Sequence, residues 1–137
     1  MTVDSSKVFL EQAERTVRAN GFDGREHAFV QEDAFEWLAA QAKSGHTFDT
    51  VFCDLSAFPK SKDNDETALC ALVLERVARI LAPEGALLLT CRDRRFKLPD
   101  ETLAALGLNA REITAETIAH DFSRTPKIHR AFLVDFR

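Results

Sequence analysis

"FDTVFCD", residues 48–54, and "ALLLTC", residues 86–91, are the two stretches whose reading decides the fold. Each is a dense apolar run of strand length rather than helix length. The first ends on an acid, Asp54. The second is a continuous apolar run, which fits a strand buried on both faces, as in a parallel sheet. Between them, residues 64–82 carry Leu69, Leu72, Val73, Val77, Ile80 and Leu81 at helical spacing, and Pro83 lies just past the end. Strand, helix, strand in that order is a crossover unit, and such units build a layered α/β sheet.

Working outward, the alternation continues in both directions. Upstream, residues 5–20 place Val8, Phe9, Ala13 and Val17 roughly a helical turn apart, with Ser5 or Ser6 as N-cap and Asn20-Gly21 as the stop. Residues 27–30 read as a short strand. Residues 34–43 read as an amphipathic helix with Phe35, Leu38 and Ala42 on one face. Downstream, Pro99-Asp100 opens a short helix through Leu106, stopped by Gly107, and residues 110–114 and 131–136 are the last two strands. The polar stretch Pro59 to Glu66 is a loop, and no internal repeat breaks the pattern.

Composition narrows the class. Hydrophobic residues make up 45% and charged residues 29%, the balance of a soluble globular domain. No apolar run is long enough to span a bilayer, and no charged n-region leads into an apolar stretch, so a cytoplasmic location is expected. Three cysteines at wide spacing, Cys53, Cys70 and Cys91, support neither a disulfide framework nor a zinc site and read as small buried side chains. Four histidines are scattered without ligand spacing, so no metal is expected. The net charge of −4 is unlike that of a free-standing nucleic-acid binder, which is usually basic. Any affinity for RNA must therefore come from a local patch or from another domain.

Specific phrases carry a family resemblance. Val3-Asp4-Ser5-Ser6, Ala13-Glu14-Arg15 and Asn20-Gly21-Phe22 resemble the segment after the second strand of class I S-adenosylmethionine (SAM) methyltransferases, in particular the bacterial large-subunit ribosomal RNA guanine methyltransferases. Residues 29–34, FVQEDA, resemble their adenine-binding turn. Residues 52–62, FCDLSAFPKSK, stand where that family has a strand followed by D-P-P-T-F-S-N-S-K. Leu81-Ala82-Pro83-Glu84-Gly85-Ala86-Leu87, Arg95-Phe96-Lys97-Leu98 and Ala104-Ala105-Leu106-Gly107-Leu108 resemble later segments. The tail phrases Ile113 to Ile118, Asp121-Phe122 and Pro126-Lys127-Ile128-His129 are the most specific, and resemble the C-terminal methyltransferase half of the bifunctional enzyme or a single-domain relative of it. The resemblance covers essentially the whole chain. It implies a Rossmann-like sheet, SAM as cofactor and guanine methylation on ribosomal RNA.

The resemblance also suggests roles. Asp4, with Ser5 beside it, would hold the ribose hydroxyls of SAM; an acid favoured by the helix dipole is the plain alternative. Asp33 would accept from the adenine amine while the Ala34 N–H meets a ring nitrogen; a simple helix N-cap is the alternative. Asp54 would orient the target base and Phe58 would stack on it, the alternative for Phe58 being a hydrophobic plug over the sheet. Leu55 and Ser56 replace the two prolines of the family segment, which makes the loop less rigid and adds two N–H donors. Basic residues fall into three groups that can meet RNA phosphates or simply be solvated: Lys60 and Lys62; Arg92, Arg94, Arg95 and Lys97; and Arg124, Lys127 and Arg130.

The family's first strand and glycine-rich loop should precede Asp4, and none of the five glycines forms a G-x-G. The 137 residues thus read as a single partial methyltransferase domain, lacking strand 1 and most of strand 2. In the family order 3-2-1-4-5-7-6 that loss leaves the strand at 27–30 with nothing joining it to the strand at 48–53. Either a preceding segment of a longer chain or a homodimer completes the sheet, or the 27–30 region repacks. The alternative function is a non-catalytic binding or assembly module derived from such an enzyme.

Overall fold

The computed structural model describes residues 1–22, 26–55, 66–93, 95–122, 124 and 128–136. They form two compact units, residues 1–44 and 45–137.

The first unit is a parallel pair with two helices. Strands β1 (Thr2–Asp4) and β2 (Phe29–Gln31) pair in register, Val3 opposite Val30 and Asp4 opposite Gln31. Helix α1 (Lys7–Ala19) joins them and α2 (Ala34–Ser44) follows. Ser6 caps α1, its hydroxyl accepting the Phe9 N–H, so of the two serines the second is the cap. Phe22 folds back over the helix end, its N–H donating to the Val17 carbonyl, with Gly21 at φ 80° making the turn. Leu10 is the one buried hydrophobic side chain among the described residues of this unit, while Val8 and Phe9 are exposed.

The second unit holds a mixed four-stranded sheet in the order β3-β4-β6-β5. Strand β3 (Phe48–Asp54) runs parallel to β4 (Leu81–Cys91), and β6 (Arg130–Phe136) lies antiparallel to both β4 and β5 (Leu108–Glu112). Helix α3 (Glu66–Val77) links β3 to β4, α4 (Asp100–Leu106) links β4 to β5, and the one-turn α5 (Thr114–Thr117) follows β5. Taken separately, the first sheet has the order expected for strands 3-2 and the second the order expected for strands 4-5-7-6.

The larger departures from the sequence reading have physical reasons. The helix expected over 64–82 ends at Val77, among described residues, because the chain tightens: the Ile80 N–H reaches back to the Val77 carbonyl at 2.9 Å. That turn buries the Ile80 side chain and presents its carbonyl to the Phe48 N–H at 2.7 Å. Strand β4 therefore starts at Leu81 and absorbs Pro83-Glu84-Gly85 as an irregularity, Phe48 pairing with Leu81 but Thr50 with Ala86. The strand expected at 110–114 begins at Leu108, directly after the left-handed Gly107 cap (φ 67°), and gives way to α5 at Thr114.

The core of the second unit lies between α3 and one face of the sheet. Cys70, Val73, Leu74 and Val77 recur along one side of α3 and are buried, as are Leu87, Leu89 and Cys91 on β4 and Phe132 and Val134 on β6. The alternate residues Ala86, Leu88 and Thr90 are only half-buried. The continuous apolar run thus folds as a strand with one fully buried face, not two. Across the less buried face, register aligns Phe52 with Leu88 and Leu88 with Leu133, and Phe52 is 64% exposed.

Candidate functional site

Parallel strands collect their carboxyl ends on one edge, and open α/β sheets place ligands there. In the first unit that edge carries Asp4 and, two residues past β2, Asp33. Asp4 is half-buried, and its Oδ1 accepts the Ser6 N–H at 2.7 Å. Its backbone carbonyl accepts the Glu32 N–H at 3.2 Å, which ties the two strand ends together. Ser5 is exposed, its carbonyl taking a hydrogen bond from the Gln31 side-chain amide. Asp33 is exposed and caps α2 through one oxygen: Oδ1 accepts from the Phe35 N–H at 2.8 Å and the Glu36 N–H at 3.2 Å. Ala34 is the first residue of α2, so its N–H is among those with no partner inside the helix. Both carboxylates are held by short loops through Oδ1, and among the described residues no hydrogen bond to either Oδ2 is recorded.

In the second unit the corresponding edge carries Asp54 on β3, opposite Thr90, which is opposite Ala131 on β6. Asp54 is half-buried. Leu55, standing where the resembled family has proline, is buried at 5% exposure and anchors the strand end by packing. Phe58, Lys60 and Lys62 lie outside the described residues, as do Arg94 and Lys127. Beside Asp54, burial pushes the Cys53 thiol up to about 12, and the Asp54 charge adds to the effect. Cys70 is likewise raised to about 12, by burial and then by its neighbours Cys53 and Cys91. These thiols stay protonated at neutral pH and are not nucleophiles.

The basic residues divide. Arg92, Arg95 and Lys97 are exposed on the loop after β4, and Arg124 is exposed after α5. Arg95 lies 4.0 Å from the Asp93 carboxylate with its side chain 94% exposed, a solvated pair. Arg130, grouped by sequence with the phosphate-facing residues, is otherwise engaged. Its Nη2 and Nε donate to the two oxygens of Glu112, at 2.7 Å and 3.2 Å, and its Nη1 donates to the Phe96 carbonyl. Its guanidinium lies 4.9 Å from the centre of the Phe132 ring. Glu112 is held below the usual carboxylate range, first by the hydrogen bond from Arg130 and then by that from Thr114. Sequence reading missed Glu112. The signal was available in register: Glu112 pairs with Phe132, so Arg130 is its diagonal neighbour on β6.

Among the described residues no group of three or more His, Cys, Asp or Glu side chains is arranged to hold a metal ion. No helix among them is long and apolar enough to cross a membrane.

Comparison with known proteins agrees with this architecture. The profile of the family described as "Methyltransferase domain" matches residues 1–127. Ribosomal RNA large subunit methyltransferase K/L of Vibrio cholerae serotype O1 is 38% identical over 97% of the chain, which spans 19% of that protein's length. The chain thus covers about a fifth of the curated relatives it matches. Among solved structures, a SAM-dependent methyltransferase from Agrobacterium tumefaciens superposes with a TM-score of 0.62 at 19% identity, over 96% of this chain and 46% of that one. Human methyltransferase-like protein 13 in complex with SAH does so with a TM-score of 0.62 at 22% identity, over 98% and 60%. A profile match across nearly the whole length, a relative at 38% identity and two half-sheets in the matching strand order lead to one conclusion: the chain belongs to the methyltransferase domain family.

Proposed function

We propose that these residues are the C-terminal portion of a SAM-dependent ribosomal RNA guanine methyltransferase domain, read as one partial domain across both units. The observation that carries the proposal is the 38% identity, sustained over 97% of the chain, to a ribosomal RNA large subunit methyltransferase. The profile match to residues 1–127 runs through both units and supports the single-domain reading.

The residues at the β1–β2 edge fit the adenosine half of SAM. Each carboxylate spends Oδ1 on its own loop, which fixes the side chain. Asp4 Oδ2 is then available to the ribose hydroxyls, with Ser5 alongside, and Asp33 Oδ2 to the adenine amine. The Ala34 N–H supplies a donor for a ring nitrogen. The capping role and the ligand role of Asp33 thus coexist. The methionine end of SAM calls for a glycine-rich close approach, and none of the five glycines here forms a G-x-G. Bound SAM supplies the electrophilic methyl group. The work of this chain's residues is positional: Asp54 orients the amine or ring nitrogen of the base, and Phe58 stacks on it to hold the in-line approach. Lys60, Lys62, Arg92, Arg94, Arg95, Lys97, Arg124 and Lys127 are assigned to the RNA phosphates, and a cytoplasmic location goes with that substrate.

Strand β3 pairs on one side only among the described residues, and the Phe52, Leu88 and Leu133 face beside it is incompletely covered. We assign that edge to a further strand, from a preceding segment of a longer chain or from a second copy.

The reading is tested by titrating SAM and SAH into the chain while following saturation transfer to the adenosyl protons. Weak binding is expected, with Kd on the order of 1 mM, lost in Asp4→Ala and Asp33→Ala. No transfer to the adenosyl protons sinks the cofactor assignment. A second reading, a non-catalytic binding or assembly module, is favoured by the Leu55-Ser56 replacement of the two prolines. Methyl transfer to ribosomal RNA by a longer chain containing these residues would exclude it.

A further inference from the structure

A cleft of about 730 Å³ opens between α4, β5 and β6, in the second unit. Its lining includes Lys97, Leu98, Ala110, Glu112 and Arg130. It stands at the same end of the sheet as Asp54, two strands away: Asp54 is opposite Thr90, and Arg130 is opposite Cys91, the next residue on β4. The chemistry of this cleft turns on Arg130. A guanidinium has five N–H donors, all in its plane. Here the Glu112 carboxylate occupies one edge and the Phe96 carbonyl another, and the charge of Glu112 balances that of the guanidinium. Such a group is poorly suited to a phosphate. What remains is its flat face. Its Cζ lies over the Phe132 ring, which packs edge to face with Phe96 at 5.9 Å and 67°. Arg130 lines the cleft together with Phe132, and its side chain is 23% exposed there. Ala110, exposed on β5, keeps the floor low. Lys97 lines the cleft and is exposed, and Arg95 and Arg92, on the same loop, are exposed as well.

We propose that this cleft takes one unpaired base of a single-stranded RNA, stacked on the guanidinium plane of Arg130, while the adjoining phosphates run along Lys97, Arg95 and Arg92. Base stacking on arginine planes is a recurrent mode of single-strand recognition. The assignment rests on the ribosomal RNA reading above and deepens it. It adds a second nucleotide contact at the same end of the sheet as Asp54 but on the opposite face. It also gives Arg130 and Glu112 a role that phosphate binding does not.

The test separates base from backbone. A fluorescein-labelled oligouridine and an abasic oligomer of equal length carry the same phosphates. Anisotropy titration of this chain is expected to show about tenfold tighter binding of the oligouridine, the effect of one stacked base. Ala110→Leu raises the cleft floor at an exposed position. It is expected to bring oligouridine binding down to the abasic value and to leave abasic binding unchanged. Arg92→Ala with Arg95→Ala is expected to weaken both oligomers alike and flatten the salt dependence. Arg130→Lys keeps the charge and loses the plane, so it should behave as Ala110→Leu does, with circular dichroism checking that it folds. Equal affinity for the two oligomers, or an unaltered preference in Ala110→Leu, overturns the stacking site and leaves the RNA reading standing. Binding of neither oligomer overturns both.

Discussion

A Cβ placed on Gly85 would stand 2.9 Å from the Phe48 carbonyl oxygen, and 3.0 Å from that of Ala82. The atoms in the way are backbone, so they cannot swing aside. The glycine is what lets β4 pass close to the start of β3 while it absorbs the Pro83 irregularity. Gly85→Ala is expected to destabilise the fold by about 1–3 kcal/mol, the usual range for overpacking. Urea denaturation followed by circular dichroism at the helix band checks it, and a midpoint within error of wild type would contradict the close approach.

Removing the α2 cap separates structure from ligand binding. Asp33→Ala is expected to lower stability by about 1 kcal/mol through loss of the acceptor for Phe35 and Glu36. Asn caps about as well as Asp, so Asp33→Asn should keep the stability and still lose the adenine contact assigned to Oδ2. The paired measurement is a thermal melt and an SAH titration on each variant. Equal loss of SAH binding only where stability falls would reduce Asp33 to a cap.

Two thiols, the buried Cys70 and the half-buried Cys53, make the protein sensitive to alkali. Cys53 and Cys70 both sit at about 12, above the ordinary value of 9.0, because burial disfavours the thiolate. The folded state therefore keeps its protons where the unfolded chain has released them. Stability is full below pH 9 and is lost as pH rises from 9 towards 12, by at most about 1.4 kcal/mol per unit per thiol. Denaturation midpoints across that range should fall, and Cys70→Ala should fall less steeply. At pH 8, reaction with a disulfide reagent should be slow in the native protein and fast in urea.

Acid acts on the other side of the same unit. Glu112 is lowered below 4.5, first by its hydrogen bond from Arg130. Its contribution is present above the unfolded value and disappears as pH falls through the lower folded one. Carboxyl-carbon NMR should show Glu112 titrating below the usual carboxylate range, and Arg130→Lys should move it back up. In Glu112→Gln the Phe132 ring should report a displaced Arg130. An unshifted ring resonance would argue against the clamp.

How much of this was legible in the sequence varies by residue. Helix α1 and its serine cap, α4 with its Gly107 stop, and the run at 86–91 were readable because local propensity and fold agree there. The end of α3 was not. Ala78 to Leu81 continue the helical spacing, but the Ile80 carbonyl is taken by the Phe48 N–H, a tertiary contact that a helix continuing through Ile80 would not leave available. The site divides in the same way. Asp4, Asp33 and Asp54 were visible as acids at strand ends. The pairing of Arg130 with Glu112 depends on the register of two antiparallel strands, which composition does not encode. From sequence alone Arg130 therefore falls among the cations that can meet RNA phosphates or be solvated.

The contrast in burial between the two units has a thermodynamic consequence. Residues 45–137 bury a layer of leucine, valine and cysteine side chains, whereas residues 1–44 bury Leu10 among their described hydrophobic side chains. Cooperativity scales with shared buried surface, and a two-stranded pair with a single interior side chain has little of it. The amides of β1, α1 and β2 should therefore exchange with deuterium orders of magnitude faster than those of β4 and β6. The chain should melt in two steps, as a labile foldon attached to a durable one.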